Sequence, residues 1–215
     1  MMALLRGISD RRCLLGMAIL IGALGPIGHP AVASGIVAPG NLATTEGNEN
    51  NSIPFDWNWP LRMQQVYAGS EFSSWSGPEY IQSIAFRLDG PSFPFGATIN
   101  GVTIRLSTTA REPDGLSGTF ADNIGPDESV VFQGALPIFS TEEPRTDGLP
   151  HAFNIVINLQ KPFRYDPTQG NLLLDITNPL KADNIYVNGV KSISLDTQRL
   201  SGDTVSRVAG YVVGN

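Results

Sequence analysis

The sequence is poor in the residues from which reactive sites are made. It has one cysteine and two histidines in 215 residues, and only 16% of it is charged. Cys13 lies inside an apolar N-terminal run, so a chain processed beyond that run carries no thiol. It then has no disulfide, no zinc–thiolate site and no cysteine nucleophile. Nor is Cys13 a lipoprotein cysteine, because Arg11 and Arg12 stand where a lipobox needs small apolar residues. His29 belongs to the same N-terminal segment, which leaves His151. One histidine cannot form H-E-x-x-H, "GLSG" around Ser117 lacks the spacing of a G-x-S-x-G elbow, and neither a P-loop nor G-x-G-x-x-G occurs. A serine or zinc hydrolase is therefore not expected. Long apolar runs are scarce too: "CLLGMAILIGALGPIG" is 16 residues, diluted by glycine and short of the roughly 20 that span a bilayer.

Arg6, Arg11 and Arg12 precede that run and "HPAVAS" follows it, with Ala31 and Ala33 in the A-x-A pattern of signal-peptidase sites. Residues 1–33 are expected to be a signal peptide cleaved between Ala33 and Ser34, giving an exported chain with no membrane span. "DRRCLL" also resembles a twin-arginine signal with Asp10 where Ser or Thr is preferred, so both export routes stay open. Three of the 14 basic and one of the 20 acidic residues precede Ser34, which leaves 182 residues at a net charge of −8. That sign repels phosphate backbones and anionic bilayers, so nucleic acid is not an expected partner, whereas neutral sugars and cations remain. The length suffices for one core.

Turn chemistry and period-2 alternation fill the rest. With 23 glycines and 16 prolines the chain is rich in breakers. Residues 34–52, polar and without a period, read as a flexible leader, and a single domain is expected over 53–215. Alternation places Ile84, Phe86 and Leu88 on one face. It does the same for Val102, Ile104 and Leu106, for Phe153, Ile155, Ile157 and Leu159, and for Leu172, Leu174 and Ile176. "SVVFQG" is a shorter strand, and Asn188-Gly189 marks a tight hairpin. One segment departs: "PDGLSGTFADNIG" spaces Leu116, Phe120 and Ile124 at four residues between Asp114 and Gly125, which predicts a helix of about two turns over 114–125. Together these predict an all-β antiparallel sandwich, jelly-roll in type, with one short helix.

The candidate sites follow from exposed rings and clustered oxygens. "PFDWNWP" is a short edge strand closed by Pro54 and Pro60, on which Phe55, Trp57 and Trp59 share a face. At that spacing Trp57 and Trp59 can stack on sugar rings. Yet the trio represents on the order of 10 kcal/mol of apolar burial, so at least two of its rings are expected in the core. Trp75, in the polar stretch "EFSSWSGPEY", is the better exposed ring; these three tryptophans are the sugar-binding candidates. Asp122, Asp127 and Glu128, with Asn123 beside them, offer hard oxygens for calcium, though at no EF-hand spacing; ordinary loop solvation and turn hydrogen bonds are the expected explanation. Asp175 lies mid-strand opposite the apolar row, where a glycosidase carboxylate or a cross-strand partner of an outer-face arginine is the choice, and the second is expected.

Several phrases, "GNENNSIPFDW", "RMQQVYAGSEF", "IAFRLDG", "VTIRLSTTAREPDGLSGTFADNIGPDESVVFQG", "PFRYDPTQGNLLLDI" and "DTVSRV", cover most of residues 47–208 in order. Their order resembles bacterial exosortase-sorted extracellular proteins of the PEP-CTERM type. The resemblance implies an exported β-sandwich associated with the cell surface or exopolysaccharide, mostly without a demonstrated activity, and carries no catalytic residue onto this chain. The chain ends at "RVAGYVVGN" rather than in the Pro-Glu-Pro motif, span and basic residues of that group. The expectation is either release to the medium or a shortened reading frame, with an unpaired edge beside "YVVG" in the latter case. The function expected is that of a non-catalytic surface or matrix protein with weak polysaccharide contact. A carbohydrate-binding module with a calcium staple, or a jelly-roll glycan hydrolase or lyase, stand as alternatives.

Overall fold

The computed structural model describes residues 13–21, 34–55, 60–179 and 193–211. Its strands are β1 (Cys13–Leu15), β2 (Met17–Ile21), β3 (Ser34–Ala38), β4 (Glu49–Asn51), β5 (Leu61–Tyr67), β6 (Glu79–Phe86), β7 (Phe95–Thr109), β8 (Ser129–Ser140), β9 (Ile155–Tyr165), β10 (Asn171–Asn178), β11 (Leu195–Arg199) and β12 (Val205–Tyr211). Every pairing among them is antiparallel. A five-stranded sheet runs β12-β5-β10-β7-β8, a four-stranded sheet β3-β2-β6-β9, and a small sheet β1-β11-β4. The result is an all-β sandwich. No helix among the described residues is long and apolar enough to cross a membrane.

The alternating rows meet between the two large sheets. Val102, Ile104 and Leu106 of β7, Leu172, Leu174 and Ile176 of β10, and Ile84 and Phe86 of β6 are all buried in one cluster, as the period-2 reading expects. Ile81 and Ile84 differ in parity yet both face this core, because the ladder between β6 and β9 shifts register between Ile81 and Ser83. An insertion in one strand turns the following side chains over. Pro162 lies in the part of β9 that this shift leaves out of the ladder, and Pro137 lies on the edge strand β8, the two placements a residue without an N–H tolerates. Where the edges β8 and β9 approach, the Gln160 amide accepts from the Gln133 N–H at 3.1 Å and donates to its carbonyl at 3.1 Å. A side chain thus stands in for one step of a ladder between the sheets.

The segment 114–125 is not a two-turn helix. Only Phe120–Asn123 forms a single 3-10 turn, and Asp114, cast above as the N-cap, takes a left-handed φ of 62°. Gly115 and Gly118 weaken helix propagation. The Asn123 side chain accepts from the Ser117 N–H (2.8 Å) and donates to the Ser117 carbonyl (2.9 Å), which substitutes for helical bonding. The apolar spacing has another cause: Leu116 and Phe120 pack on Val66, Leu173 and Val208, covering the outer face of the five-stranded sheet, with Ile124 alongside. Beneath them Gln64, wholly buried, donates to Phe120 O and to Asp175, and accepts from Asn123 Nδ2.

The polar stretch 34–52 is not a loose leader. It contributes β3 and β4, and Ala38 and Leu42 are buried. Its polarity is used in bonding: Asn48 Oδ1 accepts from the Arg199 N–H at 2.7 Å and Asn48 Nδ2 donates to the Arg199 carbonyl at 3.3 Å. Residues 13–21, inside the segment expected to be removed on export, pair in this chain: β2 lies between β3 and β6, and β1 beside β11. The Asn188-Gly189 hairpin lies outside the described residues. β12 is the edge of its sheet, hydrogen-bonded to β5.

Candidate functional site

Among the described residues, Glu46, Asp89 and Asp196 gather just beyond the end of β6. Residues 87–89 continue extended and run antiparallel to 194–196: Asp196 N–H donates to Arg87 O at 3.1 Å, Asp89 N–H to Ser194 O at 3.0 Å, and Leu88 bridges Leu195. Period-2 alternation sends Leu88 and Leu195 into the core, where both are buried. It sends Arg87, Asp89 and Asp196 to the opposite side. The turn before β4 adds Glu46 from above.

Within this group Arg87 is the anchor. Only 1% exposed, it donates from Nε to Asp196 Oδ2 at 2.7 Å and from Nη2 to Thr45 O at 2.6 Å, and Nη2 stands 2.5 Å from the same Asp196 oxygen as an ion pair. Its guanidinium lies 4.7 Å from the ring centre of Phe153. Asp196 Oδ1 accepts from the Gly47 N–H at 2.8 Å. Gly47 is a matter of space: a Cβ there would stand 2.0 Å from Thr197 O and 2.4 Å from that same Oδ1. Glu46 Oε1 accepts from the Gly90 N–H at 2.8 Å, while its Oε2 is buried with no hydrogen-bond partner among the described residues. Asp89 is 9% exposed, and its carboxylate makes no hydrogen bond or ion pair among the described residues. Buried His151 closes the far side, Nε2 donating to Gly90 O at 3.0 Å and Nδ1 3.3 Å from Glu142 Oε2.

Desolvation governs the electrostatics. Burial is the largest influence on all three carboxylates and holds each above the usual range. Asp89 is pushed up to about 6 by burial and then by the charges of Glu46 and Asp196, with His151 opposing. For Asp196 the pull of Arg87 falls short of the burial penalty. A ligand oxygen from each of Glu46, Asp89 and Asp196 lies within 4.8 Å of the other two. Beside Asp89 is a cavity of about 280 Å³ that Asn50, Ser92 and Ser194 line together with Phe93, 61% exposed.

The residues singled out from sequence fall elsewhere. Phe55 is buried edge-on to Phe86 at 5.4 Å, while Trp57 and Trp59 lie outside the described residues. Trp75 is half-buried and packs on Phe72 (5.1 Å) and Tyr165 (6.0 Å), so its ring belongs to the core rather than to an open platform. Asp122, Asp127 and Glu128 do not converge. Asp122 accepts from Ser117 Oγ (2.9 Å) within its own loop, while Asp127 accepts from the Thr108 N–H (2.6 Å) and Glu128 faces Arg105 at 3.7 Å, both on β7, so each has a separate partner. Asp175 takes a bidentate pair from Arg62 (3.0 and 2.5 Å) and a hydrogen bond from Gln64 at 2.7 Å, the cross-strand role expected of it. Glu46, Asp89 and Asp196 were not anticipated. The only local trace of them is that "RLD" and "SLD" each set an apolar residue beside an aspartate.

Comparison with protein-family models, with characterised proteins and with solved structures returns no match. The fold defines the chain as an all-β antiparallel sandwich.

Proposed function

We propose that this chain is an exported, non-catalytic β-sandwich that acts at the cell surface or in the extracellular matrix through weak contact with polysaccharide. The observation that carries the reading is where the buried charges go. Arg87 and Asp196 bind the main chain at Thr45 and Gly47, and Arg62 and Asp175 join β5 to β10. Charges placed this way secure segments distant in sequence, whereas catalytic carboxylates must face one another across a substrate. The N-terminal apolar run with its A-x-A site and the resemblance to exosortase-sorted surface proteins support export. The glycan contact is placed at Phe93: an exposed ring beside Asn50, Ser92 and Ser194 offers a stacking face with hydrogen-bonding rim groups. Its cavity lies below the roughly 300–1,000 Å³ of ordinary ligand pockets, which suits a single sugar ring held weakly.

Fractionation of producing cells tests both parts. The extracellular fraction should contain a chain beginning at Ser34 that matrix polysaccharide retains on a column, with retention weakened by Phe93→Ala. Retention of the unprocessed chain inside the cell refutes export. Equal retention of the Phe93→Ala variant refutes the contact site.

A further inference from the structure

We propose that Glu46, Asp89 and Asp196 form a calcium site that joins the 44–47 turn, the end of β6 and the start of β11. Three acidic side chains in proximity do not by themselves make a site; two further features point to a ligand. Asp89 is 9% exposed, and its carboxylate receives no hydrogen bond or ion pair among the described residues although oxygens of Glu46 and Asp196 stand near it. Glu46 has a second oxygen, Oε2, that is buried with no hydrogen-bond partner among the described residues. Buried carboxylate oxygens without donors are costly unless a cation or proton supplies the missing charge.

Size and charge select the ion. Calcium binds oxygens at about 2.3–2.6 Å, so ligands on opposite sides of one ion stand about 4.6–5.2 Å apart. The three oxygens lie within 4.8 Å of one another, which such a sphere accommodates. Magnesium at about 2.0–2.1 Å requires a tighter, octahedral set, and zinc prefers nitrogen and sulfur. Three carboxylates against the one guanidinium of Arg87 leave two negative charges, the charge a divalent ion cancels. Asp196 keeps its bonds to Arg87 and Gly47, Glu46 keeps its bond from Gly90, and both retain lone pairs for a metal. The cavity beside Asp89 gives room for the waters that complete six to eight ligands.

The site borders the cavity assigned to the glycan contact but does not rest on that assignment, and it is tested without glycan. The full chain is melted at pH 7 in chelator and in 10 mM calcium, magnesium or zinc. Calcium should raise the midpoint by about 4–8 °C, as expected for an extracellular site of about 10⁻⁴–10⁻³ M affinity, and magnesium should raise it less. Asp89→Asn preserves shape and breaks no protein hydrogen bond. It should melt no lower than the parent in chelator and lose the calcium shift, and Glu46→Gln should reduce that shift as well. Asp122→Asn, on the exposed turn, should keep it. Absence of a calcium shift in the parent chain, including a midpoint that rises only on acidification, overturns the proposal. So does a shift that survives in Asp89→Asn.

Discussion

Replacing Arg87 by Met should be the most damaging single change near the acidic group. The side chain is 1% exposed, pairs with Asp196 at 2.5 Å and supplies two charge-assisted hydrogen bonds, one to Asp196 and one to Thr45 O. Methionine fills much of the volume and keeps contact with Phe153, so packing is largely spared. What remains is a buried Asp196 held by the Gly47 N–H alone, with Glu46 and Asp89 close by. Removing one partner of a buried ion pair costs about 3–5 kcal/mol, and we expect about 4 kcal/mol here. With a urea slope of about 2–3 kcal/mol per molar, the midpoint should fall by roughly 1.5–2 M. Equilibrium unfolding in chelator, followed by tryptophan fluorescence, reads this directly, since Trp75 packs in the core. Pairing the change with Asp196→Leu removes both charges and should return the midpoint to within about 1–2 kcal/mol of the parent, the Gly47 N–H having lost its acceptor. A single variant that shifts the midpoint by less than about 0.5 M, or a double variant no better than the single, refutes the reasoning.

Acidity should stabilise the metal-free chain, because the folded state holds a proton at Asp89 up to about pH 6 and the unfolded chain releases it near 3.8. That contribution is whole below about pH 3.8 and is lost as pH rises through about 6. Melts in chelator between pH 4 and 7 should show the decline, and Asp89→Asn should flatten it; Glu46 and Asp196 face the same carboxylate, are themselves raised by burial and set the residual slope. Trp75→Ala should cost about 2–3 kcal/mol in urea while leaving polysaccharide retention unchanged, since the ring packs on Phe72 and Tyr165; lost retention in a folded variant would restore Trp75 as a sugar platform. A chain begun at Ser34 lacks β1 and β2, which parts β3 from β6 and bares an edge of each. It should associate as its concentration rises into the micromolar range, and a strict monomer in sedimentation would contradict this.

The rows that alternate were legible because period 2 is a local property. Val102, Ile104 and Leu106 need no knowledge of their partners to declare a buried face, and they have one. The spacing of Leu116, Phe120 and Ile124 was legible as apolar but misleading as to element. It matches a helix, yet it records how a glycine-bearing excursion lies across Val66, Leu173 and Val208. The polarity of 34–52 likewise reads as solvent-facing until Asn48 is seen bonding both main-chain groups of Arg199. The acidic group could not be read at all. Its members stand at 46, 89 and 196, and what unites them is the register that sets Leu88 against Leu195. Register between segments so far apart follows from tertiary packing, and no window of sequence contains it.

The central claim is that the chain holds a polysaccharide without cutting it. Incubation of the purified protein with matrix polysaccharide, followed by measurement of both the pelleted protein and the polymer's length and reducing ends, tests this in one tube. The account predicts protein in the pellet with polymer length unchanged after hours. Progressive shortening of the polymer that disappears in Asp175→Asn, or in a variant of the Glu46–Asp89–Asp196 group, would contradict it.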